Sequence, residues 1–153
     1  MHKKICYVCS SGGHFDEMTH VRQQIAEIDS FVITESTAAN APEAKDTYFT
    51  STLSRKDFFW FFKLIGLFFQ GLSILRKEKP SMIVSFGAMV TFPFCLAGKL
   101  LGIKVVFVES IARVYSLSLT GRLVYPFADL FIVQWEDLLK EYPKAVYGGW
   151  VYG

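Results

Sequence analysis

The chain has 153 residues, enough for one domain with an ordinary core, and its 16 Lys and Arg against 14 Asp and Glu leave a formal charge of +2 with no nucleic-acid signature. A composition 52% hydrophobic, 16% aromatic and only 20% charged excludes disorder and implies apolar surface left over after folding. Three cysteines, and an N-terminal MHKKICYVCS without a cleavable apolar stretch, lead to the expectation of a reduced, cytoplasmic chain.

In chain order, Lys4–Ser10 reads as a buried strand, followed by an amphipathic helix over Phe15–Ile28 whose apolar face is Phe15, Met18, Val21, Ile25 and Ile28. Strands are predicted at Phe31–Glu35 and, more weakly, near Asp46–Thr50, then an apolar helix over Phe58–Leu75. Met82–Phe86, Val105–Glu109 and Leu130–Gln134 are further nearly continuous apolar runs, hence strands buried on both faces. Thr91–Leu101 and Glu136–Glu141 read as helices. Strands alternating with helices imply a Rossmann-like parallel sheet covered on both faces, one α/β domain over residues 1–153.

Cys6 and Cys9 within a strand point to opposite faces about 10 Å apart, beyond disulfide reach, and read with Cys95 as core residues. His14 and His20 fall on different faces of one helix, so no metal pair is expected, and no cofactor is implied.

Ligands of such sheets sit at the carboxyl ends of the strands. Three loops meet that condition: Ser10-Ser11-Gly12-Gly13-His14, the turn at Gly87, and Glu109-Ser110-Ile111-Ala112-Arg113. The glycine turn allows close backbone approach, yet it matches no dinucleotide or P-loop fingerprint and reads equally as a plain strand-to-helix turn. His14 is the candidate base, with Asp16 or Glu17 as candidate orienting groups, against the alternative of a capping histidine. Glu109 can bind hydroxyls or move protons. Arg113 can clamp a diphosphate or simply pair with Glu109. Ser116, Ser118 and Thr120 suit sugar contacts or a polar loop.

Charge is concentrated in one place. From Arg55 to Lys79 six basic residues face Asp57 and Glu78, a local net of +4 around six of the fifteen phenylalanines and Trp60. On a helical wheel the polar residues occupy roughly 100°, leaving about 260° apolar, far more than one sheet-facing stripe requires. The length, about 27 Å, is marginal for a span. Basic flanks (Arg55, Lys56, Arg76, Lys77) around an aromatic middle (Trp60, Phe61) suit a helix docked on an anionic membrane surface, the alternative being a core or dimer helix. The uncharged end AVYGGWVYG, with Trp150 and Tyr152, reads as a docking element or as the strand that completes the sheet.

SSGGHFDEM, SFGA and above all VESIARVYSLSLTGRLVYPFADLFIVQW resemble the bacterial capsule and exopolysaccharide proteins of the CpsF and PssD type. These are relatives of the membrane-anchoring subunit of the eukaryotic two-subunit N-acetylglucosaminyltransferase of dolichol-linked oligosaccharide synthesis. The Gly-Gly-His turn is distantly similar to that of MurG. The resemblance covers essentially the whole chain. It implies the N-terminal, acceptor-binding half of a GT-B glycosyltransferase, active with a small separate protein that binds the UDP-sugar, and acting on a polyprenyl-diphosphate-linked sugar. Ser11, Gly12, Gly13, Gly87, Glu109 and Arg113 would then be acceptor-side residues and His14 the general base, with galactose the first choice of sugar. A non-catalytic scaffold that recruits the catalytic partner is the competing reading. The sequence shows no N-terminal anchor of the eukaryotic kind, so peripheral attachment at the cytoplasmic membrane face is expected to rest on Phe58–Leu75, Trp150 and Tyr152 being left to meet the partner.

Overall fold

Seven strands form one all-parallel sheet: β1 (Lys4–Val8), β2 (Asp29–Glu35), β3 (Thr47–Thr50), β4 (Met82–Ser85), β5 (Lys104–Val108), β6 (Leu130–Val133) and β7 (Val146–Tyr147), in the order β3-β2-β1-β4-β5-β6-β7. The computed structural model describes residues 3–35 and 46–153. Four α-helices accompany the sheet: α1 (Gly13–Gln24), α2 (Trp60–Glu78), α3 (Phe92–Leu100) and α4 (Leu119–Val124). Short 3₁₀ turns cover Met89–Thr91 and Glu136–Lys140.

The period-two alternation of strand side chains divides the core. Cys6, Val8, Phe31, Ile33 and Ile83 pack under α2 and α3, against Leu67, Ile74, Leu75, Phe94 and Ala97. Ile5, Tyr7, Cys9, Val32, Val84 and Val106 face the other way, against Phe15 and Met18 of α1, with Val151 at the margin. Val105, Phe107, Phe131 and Val133 continue the first face under α4, around Leu117, Val124 and Leu138. Cys6 and Cys9 are thus on opposite faces, buried and free, and burial pushes the Cys9 and Cys95 thiols up to about 12.

The predicted elements hold with shifted ends. The first helix starts at Gly13, where Gly12 takes φ 82°, and stops at Gln24, so Ile25 is exposed rather than part of the packed face. The apolar helix starts at Trp60, just after the Asp57 carboxylate accepts the Phe59 N–H at 3.0 Å, and it runs on to Glu78, ended by Lys79 in the left-handed region with Pro80 behind it. The segment predicted as a helix at Glu136–Glu141 is a 3₁₀ turn. Helix α4 was unexpected: its sequence, LTGRLV, is short and contains glycine, and what starts it is Ser118, whose hydroxyl accepts the Gly121 N–H at 3.0 Å. The tail completes the sheet as β7.

Candidate functional site

From β1 the chain builds outward to β2 and β3, then returns to place β4 on the other side of β1. The loops after β1 and β4 therefore part, opening a crevice at the carboxyl edge where the strand order reverses. His14 enters it from the start of α1. Its ring lies on Gly87: a Cβ there would stand 3.2 Å from the ring carbon Cε1, and Gly87 takes φ 98°. Glycine is required at that position both for the backbone and to seat the imidazole. The next residue, Ala88, has φ 65°, a costly conformation outside glycine, of the kind that clusters at functional sites.

The His14 Nδ1 is buried and has no hydrogen-bond partner, an exception among buried polar atoms. Burial is the main reason the His14 pKa lies below its ordinary value of 6.5; the Glu109 charge and the nearby Phe86 backbone oppose the shift, and Arg113 adds to it. The shift favours the neutral imidazole, the form that can accept a proton.

A cavity of about 390 Å³ opens beside it, walled by His14, Arg55, Ala88, Met89, Glu109, Ser110, Arg113, Ser118 and Thr120 among others. Glu109 and Arg113 are brought to this wall, as the strand-end reasoning expected. They do not pair. The buried Glu109 carboxylate accepts the Ser110 N–H at 3.0 Å, the Ser118 N–H at 2.9 Å and the Ser118 hydroxyl at 3.0 Å, fixing the start of α4. A Cβ on Gly121 would lie 2.2 Å from its Oε2, so α4 is pressed onto this carboxylate. Arg113 is exposed at the rim.

Other expectations change place. Ser11 lies outside the cavity lining, and its N–H and hydroxyl both donate to Glu35 at 3.3 Å. Gly12 and Gly13 are exposed on the turn above. Neither Asp16 nor Glu17 orients His14. Asp16 is exposed, and the buried Glu17 accepts from the Ile111 N–H at 3.4 Å and the Gln134 amide at 3.3 Å. Desolvation raises the Glu17 pKa against those two bonds. Glu35 and Gln134 went unnoticed in the sequence. Glu35 ends β2 and Gln134 directly follows β6, which is the signal that could have found them: Glu35 also accepts the Leu53 N–H at 3.3 Å, and Gln134 holds the Val151 N–H at 2.9 Å. Arg55, expected only at the membrane, is exposed but lies in the cavity wall, while Lys56, Arg76 and Lys77 are exposed outside it.

Along α2 only Leu67, Gly71, Ile74 and Leu75 are buried, whereas Phe58, Phe59, Phe61, Phe62, Ile65 and Phe69 are exposed and Trp60 is half-buried. Among the described residues no helix is long and apolar enough to cross a membrane. At the other end of the sheet, Trp150 packs on Trp135 with ring centroids 5.3 Å apart and Tyr152 on His20 at 5.3 Å, each remaining about half exposed. No cluster of three metal-ligating side chains occurs among the described residues.

Fold and site together define a Rossmann-like α/β domain with a histidine at its switch-point edge. Solved structures with this fold include MurG of Acinetobacter baumannii (TM-score 0.72, 20% identity, covering 86% of this chain and 41% of that one) and UDP-N-acetylglucosamine 2-epimerase of Rickettsia bellii (TM-score 0.77, 13% identity, covering 99% and 46%). In sequence, the profile of the family described as oligosaccharide biosynthesis protein Alg14 like matches residues 55–151, and the chain belongs to that family. The UDP-N-acetylglucosamine transferase subunit ALG14 of Homo sapiens is 39% identical over 82 residues, 50% of this chain and 38% of the relative. Its counterpart in Schizosaccharomyces pombe is 47% identical over 75 residues, 46% of this chain and 36% of the relative. The chain thus matches well under half the length of these curated relatives. The narrower likeness to capsule proteins gains no support from these matches.

Proposed function

We propose that the chain is the acceptor-binding, membrane-docking subunit of a two-component UDP-sugar glycosyltransferase, the counterpart of the N-terminal half of a GT-B enzyme, whose UDP-sugar-binding half is a separate small protein. The observation that carries this reading is the His14 imidazole lodged on Gly87 at the edge of the cavity, with the Ser110, Ser118 and Thr120 wall beside it. Family membership and the naming of its relatives as UDP-N-acetylglucosamine transferase subunits support the class of reaction.

In this mechanism a hydroxyl of a polyprenyl-diphosphate-linked sugar attacks the anomeric carbon of the UDP-sugar held by the partner. His14 takes the hydroxyl proton as the new carbon–oxygen bond forms, and UDP leaves with the electron pair of the bond that breaks. The Glu109 charge favours the imidazolium so formed, which then returns its proton to solvent. Glu109 acts otherwise by holding Ser118, so it positions the wall. The resemblance to capsule and exopolysaccharide proteins favours galactose as the sugar transferred, in β-1,4 linkage, with attachment at the cytoplasmic membrane face through the exposed side of α2.

The test is reconstitution with the small donor-binding protein and a panel of UDP-sugars. The chain alone should give no transfer and the mixture should. Turnover by the chain alone overturns the two-component reading, preference for UDP-N-acetylglucosamine over UDP-galactose overturns the choice of sugar, and full activity of His14→Ala leaves the chain as a scaffold.

A further inference from the structure

The cavity wall includes two exposed arginines, Arg55 and Arg113, that form no ion pair among the described residues. Among the described residues the ion pairs are Lys4–Glu78, Lys63–Asp57, Lys99–Asp129 and Lys140–Asp137. None involves Arg55 or Arg113, which face the same cavity from different loops, one between β3 and α2, the other between β5 and α4. Acids of the same sheet edge are held by other groups: Glu109 by Ser110 and Ser118, Glu35 by Ser11 and Leu53, Glu17 by Ile111 and Gln134. Glu109 is the one carboxylate in the wall, and it sets one buried charge, bound by backbone and hydroxyl donors, against two guanidinium groups.

A guanidinium presents a planar fork that fits phosphate oxygens two at a time. Two of them on opposing loops suit an anion with two linked phosphates better than a single phosphate. The same wall holds the hydroxyl-bearing residues Ser110, Ser118 and Thr120 and the apolar residues Leu53, Ala88, Met89 and Leu119. Three residues beyond Arg55 in sequence begins the exposed series Phe58, Phe59, Phe61 and Phe62. A ligand that carries a sugar, two linked phosphates and an apolar chain matches that set of groups.

We infer that Arg55 and Arg113 form a clamp for the diphosphate of the acceptor lipid, holding its sugar toward His14 and releasing its isoprenoid chain along the aromatic start of α2. This rests on the acceptor reading proposed above. It separates Arg55 from Lys56, Arg76 and Lys77, whose role is at the membrane surface.

Binding of a water-soluble short-chain isoprenyl diphosphate to the full-length chain is the measurement, with UDP and inorganic pyrophosphate as further probes and flotation on anionic vesicles as the second readout. Arg55→Gln and Arg113→Gln should each weaken isoprenyl diphosphate binding about 10-fold or more, as loss of a charge-assisted bidentate contact does. Arg→Lys should recover only part of the affinity. The wild-type chain should hold UDP and pyrophosphate at least about 10-fold more weakly than the isoprenyl compound, since neither has an apolar tail. Lys56→Gln, Arg76→Gln and Lys77→Gln combined should reduce flotation and leave diphosphate binding unchanged. Equal affinity for UDP would overturn the assignment to the lipid, and unaltered isoprenyl diphosphate affinity in both arginine variants would overturn the clamp. The two proposals fail differently: normal acceptor KM in folded Arg55→Gln and Arg113→Gln complexes removes the clamp and leaves the transferase, whereas arginine-dependent diphosphate binding without transfer by the reconstituted pair keeps the clamp and removes the transferase.

Discussion

Helices α2 and α3 pack on the same face of the sheet and are both rich in phenylalanine and leucine, yet they end in opposite environments. α3 (FPFCLAGKL) lies between α2 and α4 over β4 and β5, and Pro93, Phe94, Cys95, Ala97 and Gly98 are buried. α2 stands at the outside of that layer and buries one narrow stripe, leaving Phe59, Phe61, Phe62, Ile65 and Phe69 in the open. Its far end is secured by Glu78, whose carboxylate accepts from Lys4 at 2.7 Å and also from the Tyr48 hydroxyl; the Lys4 hydrogen bond is the main reason the Glu78 pKa lies below its ordinary value. The aromatic end has the Lys63–Asp57 pair and no comparable tie to the sheet. The comparison teaches that the apolar content of α3 is explained by the fold, whereas the outer face of α2 is left uncovered among the described residues.

The largest expected effect comes from breaking the buried member of the pair. Phe94→Ala should destabilise by about 3–5 kcal/mol, a large share of a domain's stability, as read from denaturant unfolding. On α2, Trp60→Ser with Phe61→Ser should cost far less stability but abolish most flotation even on neutral vesicles, each buried aromatic contributing about 1.5–3 kcal/mol to insertion. A collapse of the fold in this variant, or unchanged flotation, would make α2 a core or partner-facing helix like α3. Replacing Lys56, Arg76 and Lys77 by Gln should weaken binding to anionic vesicles by up to about 100-fold at low salt, roughly 1 kcal/mol per residue, and flatten the salt dependence. Smallest should be deletion of Trp150–Gly153. It removes the Val151–Gln134 bond and the half-exposed Trp150 and Tyr152 rings, and should lower affinity for the donor-binding partner severalfold in a titration; unaltered affinity would leave the tail as a sheet edge alone.

The comparison also shows what a sequence displays. Continuous apolar runs announced the strands, and a wheel with too wide an apolar arc announced the exposed face of α2, because both depend on local pattern. The edge residues Phe86 and Glu109 lie beyond the paired strands, yet their N–H groups still donate to Val8 and Ile132, which explains why strand and loop were hard to divide there. His14, Gly87 and Arg113 were legible as neighbours since strand ends converge in any parallel sheet. Arg55 was not, because its place in the wall depends on how the loop from β3 folds back. Glu109 was legible as a strand-end carboxylate, but its bond to Ser118 was not, since nothing in VES foretells that a residue nine positions on returns to it.

The most direct measurement is the pH dependence of transfer by the reconstituted pair, wild type against His14→Ala. Because burial lowers the His14 pKa, the imidazole stays neutral as pH falls past 6.5, so the acid limb of kcat should lie below that value, with activity lost only as the ring protonates. His14→Ala should lower turnover by roughly 10²-fold or more, remove that limb and leave partner binding intact. An acid limb that survives in His14→Ala, or turnover that does not change, would contradict the assignment of His14 as the base.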